Sequence, residues 1–189
     1  LCLMIFWQGF IQVYSSVYML IGFSFNMNLE KKELKVRELL TICQKRGFLV
    51  SVAESCTGGL ISACLTSMPG ASAIFDRGFV TYTNQSKTEL LGVSNYLFKD
   101  FGSVSKEVAL AMVEGVVLYS GADIALSVTG IAGPEGGSDL KPVGLVYIGT
   151  IRKGFKPNVT SFHFSGDRGA VRESTVNMSL DLLIQLAER

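Results

Sequence analysis

Histidine, tryptophan and proline are scarce in these 189 residues, which hold one His, one Trp and four Pro. Cysteine occurs four times, at Cys2, Cys43, Cys56 and Cys64, with no C-x-x-C pair among them. The lone His163 has no second ligand at metal-binding spacing, so neither a zinc site nor a disulfide framework is expected. Reduced thiols fit a cytoplasmic setting. His163 lies in an apolar-alternating stretch and is read as structural, which argues against a Ser-His-Asp triad. An excess of charge of one sign is also lacking, because 17 Lys and Arg face 16 Asp and Glu for a formal net charge of +1. That balance leaves no electrostatic footprint for nucleic acid or anionic membrane and points to a small-molecule partner. No G-x-G-x-x-G follows a strand and no G-K-[ST] closes a glycine loop, so neither a nicotinamide redox cofactor nor a P-loop is indicated.

What the chain does have is apolar residues, at 48% against 17% charged, with a mean hydropathy of +0.37. Disorder is excluded on that composition. The excess is concentrated at the start, where no charged residue precedes Glu30. A helix over residues 1–25 would reach about 37 Å at about 1.5 Å per residue, enough for a hydrocarbon core of about 30 Å. Lys31, Lys32, Lys35 and Arg37 would then hold the following domain in the cytoplasm. Three readings of residues 1–26 stand side by side: an extension from a start site placed upstream of Met27, a membrane anchor, or an extra packed helix. A membrane is a partner only under the second. A cleaved secretory signal fits less well, because a basic n-region is missing. Residues 27–189 are expected to form one domain.

Within that domain, residues 29–46 place Leu34, Leu39, Ile42 and Cys43 near one helical face, with Gly47 as the stop. Strands are expected over 48–53, 74–83 and 122–128, and an antiparallel pair over 143–151 and 158–164. Helices are expected over 57–68, 84–91 with Asn84 as N-cap, 105–119 and 168–187. This alternation predicts an α/β fold, a three-layer α/β/α sandwich around a mixed sheet.

Chemistry concentrates in a few segments. Ala53-Glu54-Ser55-Cys56-Thr57-Gly58-Gly59 joins a strand to a helix, and its two glycines suit a place where backbone approaches a ligand. Free N–H groups at such a helix start can hold an anion or an oxyanion. Ser55 stands at that mouth, either as a helix cap or as a nucleophile. In Tyr82-Thr83-Asn84-Gln85-Ser86-Lys87, the lysine opposes the helix dipole, which suggests that it points into a site. An ammonium beside the Tyr82 phenol would favour phenolate, and the two could together deprotonate Ser55. The alternative is a solvated lysine and a core tyrosine. Cys56 is read as a small buried residue. The run from Gly130 through Gly133, Gly136 and Gly137 either lines a pocket for a polar ligand or forms a mobile hairpin connection. Arg168 and Arg172 could hold a phosphate, or be ordinary surface arginines.

Taken in order, A-E-S-C-T-G-G, G-F-V-T-Y-T-N-Q-S-K with L-G-V after it, S-V-T-G-I-A-G-P-E-G-G, K-P-V-G and F-S-G-D-R-G-A-V-R closely resemble the CinA C-terminal domain family. The likeness runs from about Leu29 to the end. It implies a three-layer α/β/α fold, a stand-alone form, a tendency to homo-oligomers, and no metal or organic cofactor. The implied activity is nicotinamide-nucleotide amidohydrolysis, which converts nicotinamide mononucleotide to nicotinate mononucleotide and ammonia. The family's serine of A-E-S falls on Ser55, and the tyrosine and lysine of Y-x-N-x-x-K fall on Tyr82 and Lys87. Under this resemblance Ser55 attacks the carboxamide carbon and backbone N–H groups around Thr57, Gly58 and Gly59 hold the oxyanion. Glu54 and Cys56 are counted with that turn, while Gly130, Gly133, Gly136, Gly137 and Arg168 grip ribose and phosphate. The competing expectation is a nucleotide-binding, competence- or damage-associated module without catalysis.

Overall fold

The computed structural model describes residues 30–189. The three readings of residues 1–26 therefore lie outside the described residues. Helix α1, residues 30–46, buries Val36, Leu39, Leu40 and Cys43, an i, i+3, i+4, i+7 stripe. Leu34, expected on that stripe, is 65% exposed, because the buried face begins two residues later. Strand β1 (Val50–Glu54) is buried throughout. It leads through a tight turn into α2 (Leu60–Leu65), shorter than the expected 57–68 because residues 57–59 belong to the turn.

Strand β2 (Phe75–Val80), α3 (Asn84–Leu91), α4 (Asn95–Phe101) and α5 (Lys106–Leu118) follow. The N-cap of α3 is Thr83 rather than Asn84. The Thr83 hydroxyl accepts the Ser86 N–H while the Ser86 hydroxyl accepts the Thr83 N–H, a capping box in which serine replaces the usual Glu or Gln. Sequence inspection did not anticipate α4, a seven-residue helix with Ser94 as N-cap and no buried residue. Without a wholly buried position it shows no apolar stripe for periodicity to detect. Strands β3 (Ile124–Gly130), β4 (Leu145–Arg152) and β5 (Asn158–His163) and helix α6 (Arg168–Glu188) complete the domain.

The sheet order is β2-β1-β3-β4-β5. The first three strands are mutually parallel, and β4 pairs antiparallel with both β3 and β5, so the sheet is mixed as expected. Val50, Val52, Ile124, Leu126, Val128, Val146 and Ile148 pack in one core with α1, α2 and α6. The opposite face carries small residues, with Ala53 and Ala125 packed against Val108, Met112, Val113 and Val116 of α5. Each large aliphatic side chain so buried contributes about 1.5–3 kcal/mol. A Cβ on Gly149 would stand 2.7 Å from the Ala109 carbonyl oxygen, and the Ser127 hydroxyl donates to that same carbonyl at 2.7 Å. The close approach fixes α5, and with it the segment that precedes it, against the strand ends. Helices on both faces make this the expected three-layer sandwich. Among the described residues, no helix is long and apolar enough to cross a membrane.

Candidate active site

Ser55 is the first residue after β1, and its N–H continues the parallel ladder by donating to the Val128 carbonyl at 3.1 Å. The strand thus fixes the serine backbone while its side chain stands at the sheet's edge. The preceding Glu54 is fully buried and turns back under the helix start. Its carboxylate accepts the N–H groups of Gly59, Ile61 and Ser62 at 2.9, 3.0 and 2.8 Å, and the Ser62 hydroxyl at 2.7 Å. The anion-binding capacity of that helix start is therefore filled by the chain's own carboxylate. Gly58 donates its N–H to the Ser55 carbonyl at 3.1 Å. Gly58 and Gly59 consequently have no free donor for an oxyanion, and Glu54 is a structural cap rather than a substrate contact. Among the described residues, no acceptor meets the N–H groups of Cys56 and Thr57, which follow Ser55 directly.

Lys87 lies one turn inside α3 and is 1% exposed. Its Nζ donates to Ser55 Oγ at 3.1 Å and approaches the Tyr82 carbonyl at 3.5 Å. None of the ion pairs among the described residues involves it. Burial lowers its pKa from 10.5, and the nearby Cys56 thiol opposes that only in part. A lysine so placed can accept a proton from the hydroxyl it faces. Burial has the opposite effect on the neighbouring Cys56, raising its thiol to about 11. Cys56 stays a thiol at neutral pH, which leaves the Ser55 hydroxyl as the candidate nucleophile of the turn.

Tyr82, Lys87 and Ser55 meet in one cleft of about 380 Å³, but not in the pairing expected from sequence. The Tyr82 side chain is 57% exposed and its hydroxyl takes a hydrogen bond from Arg168 Nη2 at 2.8 Å. Lys87 reaches only the tyrosine's backbone carbonyl, so the phenolate–ammonium arrangement is replaced by a direct lysine–serine contact. Arg168 Nη1 also donates to the Gly133 carbonyl at 2.9 Å, tying the glycine loop to Tyr82 across the cleft. Gly130 lines the cleft, whereas Gly136 and Gly137 do not. A Cβ on Gly137 would stand 2.9 Å from the Val143 nitrogen, so this glycine serves the loop's own compaction.

The loop is an ordered extension of the β3–β4 hairpin. Gly144 donates to the Ile131 carbonyl at 2.8 Å, and Ser138 donates to that of Lys141 at 2.8 Å. Lys141 Nζ donates to the Phe101 and Val104 carbonyls at 2.5 and 2.7 Å, pinning the loop to the α4–α5 connection. Ser103, Val104 and Thr129 also line the cleft, and the sequence reading did not single them out. Ser103 and Val104 follow α4, the helix that left no periodic signal, and Thr129 comes from the end of β3. Arg172 donates from Nη2 to the Thr57 carbonyl at 2.8 Å and so braces the turn that carries Ser55 instead of facing the cleft. His163 is exposed at the end of the edge strand β5, not a core residue.

Fold and cleft together define an α/β/α protein with a buried serine–lysine pair at the C-terminal edge of its parallel strands. The chain belongs to the CinA family: the CinA C-terminal domain profile matches residues 32–187. It is 48% identical over 153 residues to nicotinamide-nucleotide amidohydrolase PncC of Enterobacter agglomerans, covering 81% of this chain and 93% of that protein. It is 54% identical over 134 residues to a CinA-like protein of Endomicrobium trichonymphae, covering 71% of this chain but 31% of that relative. Longer relatives of this kind are spanned over only 31% to 41% of their length. The crystal structure of competence/damage inducible protein CihA from Agrobacterium tumefaciens superposes with a TM-score of 0.80 at 44% identity, covering 82% of this chain and 94% of that one.

Proposed function

We propose that this chain hydrolyses the carboxamide of nicotinamide mononucleotide to nicotinate mononucleotide and ammonia, with Ser55 as nucleophile and Lys87 as its base. The observation that carries this reading is the buried Lys87 Nζ, 3.1 Å from Ser55 Oγ, with its pKa lowered by desolvation. Neutral Lys87 takes the Ser55 proton as Oγ attacks the carboxamide carbon. The oxyanion is received by the Cys56 and Thr57 N–H groups. Lys87 then returns the proton to the departing nitrogen, and ammonia leaves an acyl-Ser55. Water attacks that ester with Lys87 again accepting a proton, and the carboxylate product is released as the proton returns to Ser55. Arg168 is positioned beside the cleft to meet the phosphate with donors beyond those held by Tyr82 and Gly133. The amidohydrolase name of the Enterobacter agglomerans relative, nearly all of which this chain spans, supports the substrate class. A cytoplasmic site of action fits the free thiols Cys43, Cys56 and Cys64.

The test is ammonia and nicotinate mononucleotide release by the chain and by its Ser55→Ala variant, both shown to be folded, in the presence of a chelator. Release by the first alone supports the reading. Binding of the nucleotide by both without turnover by either replaces it with a binding module.

A further inference from the structure

At the other end of the sheet from Ser55, β4 finishes at Arg152, which pairs with Ile124 at the start of β3. The catalytic cleft is bounded by Gly130 at the far end of that seven-residue strand. At about 3.3 Å per residue the two places stand about 20 Å apart. A pocket of about 570 Å³ opens here between the β4–β5 hairpin and the end of α6, within the size range of small-molecule sites. Its charged lining consists of Arg152, Lys156 and Arg189, with no acidic side chain among the lining residues. Leu182 and Leu186 of α6 give it an apolar wall.

Arg152 is held rather than free to swing. Its guanidinium lies 4.8 Å from the centre of the Phe48 ring and 5.1 Å from that of Phe155. Among the described residues, one of its nitrogens, Nη1, is buried with no hydrogen-bond partner. None of the ion pairs among the described residues involves Arg152, Lys156 or Arg189. Three like charges around one cavity repel one another, and an entering anion offsets that repulsion. A fixed guanidinium with an exposed ammonium is a donor set suited to phosphate oxygens.

We propose that this pocket is a second ligand site, taking a small molecule that carries phosphate on an apolar body. The test is calorimetric titration of the full chain with adenosine monophosphate, pyrophosphate and adenosine in turn. The expected result is binding of both phosphate compounds, with the nucleotide below about 1 mM and adenosine at least about tenfold weaker than the nucleotide. Lys156→Glu, a reversal at an exposed position, is expected to weaken the nucleotide about tenfold or more, and Arg152→Gln to do the same. Ser55→Ala and Arg168→Ala are expected to leave it unchanged. The proposal is overturned if neither phosphate compound binds at about 5 mM, or if adenosine binds as tightly as its monophosphate. It is equally overturned if Lys156→Glu has no effect, or if Arg168→Ala abolishes binding, which would place the nucleotide in the catalytic cleft.

Discussion

Lys87 Nζ donates to Ser55 Oγ at 3.1 Å from the end of a side chain that is 1% exposed. The contact joins a strand end to a helix far along the chain, and among the described residues no carboxylate pairs with the lysine. A buried ammonium in that position is costly, so the fold favours the neutral amine that the proposed chemistry requires.

Lys87→Met keeps most of the side-chain volume and removes the amine. Turnover is expected to fall by a factor of about 10²–10⁴, as for loss of a general base. Thermal stability is expected to hold or rise, because an amine whose protonation burial disfavours gives way to an apolar side chain of similar volume. A melting curve beside a single-turnover assay checks both; a large loss of stability would show that the amine is structural.

The pH dependence has a definite sign. Unfolded Lys87 protonates near 10.5, and burial lowers the folded value. Between the two, the unfolded chain binds the extra proton, so stability rises with pH across that window. The neutral base appears over the same rise, and kcat/KM should climb with an apparent pKa below 10.5. Denaturant melts across the alkaline range should lose this slope in Lys87→Met.

Tyr82→Phe separates a tether from a base. The Tyr82 hydroxyl is engaged by Arg168 at 2.8 Å and not by Lys87. Losing one partly exposed hydrogen bond is worth about 0.5–1.5 kcal/mol, a factor of about 2–13. That loss is expected mainly in KM, with kcat nearly retained. Loss of kcat by several orders of magnitude would restore the phenolate role.

Glu54→Gln tests the cap beneath the nucleophile turn. The carboxylate accepts three backbone N–H groups and one hydroxyl while fully buried. An amide accepts fewer and turns a donor toward donors, so stability should fall by about 2–4 kcal/mol. Urea denaturation would measure it.

Lys141→Met releases the glycine loop from the α4–α5 connection, where its ammonium meets two carbonyls at 2.5 and 2.7 Å. KM for nicotinamide mononucleotide is expected to rise about three- to tenfold with kcat changed less, and Lys141→Arg to recover part of it. Steady-state kinetics of the three proteins decides.

Much of the fold was legible because burial imposes periodicity. Val50 to Glu54 and Ile124 to Gly130 are apolar runs flanked by turn residues, and α5 carries a repeating buried face. The short α4 left no such trace, and Ser103 and Val104, which follow it into the cleft wall, went unseen. Lys87 stood out in the sequence at a locally unfavourable helical position, and Ser55 stood out by the two glycines that follow it before a helix. Their contact spans 32 residues of sequence and depends on register, which no local pattern encodes. Glu54 misled for the same reason: only the fold shows its carboxylate turned back onto the helix it precedes.

The reversal of β4 has one more effect. Had β4 run parallel to β3, a crossover would have carried the chain away from the strand ends that hold Ser55. Because it turns back, residues 131–144 remain beside the cleft as a loop that contributes Ala132 to its lining and is anchored at Arg168 and Lys141. The loop can change in length or sequence without altering the register of the strands it joins. Under the proposed function, selectivity for the far end of a substrate is thus free to vary, while the serine and lysine stay where the sheet and α3 put them.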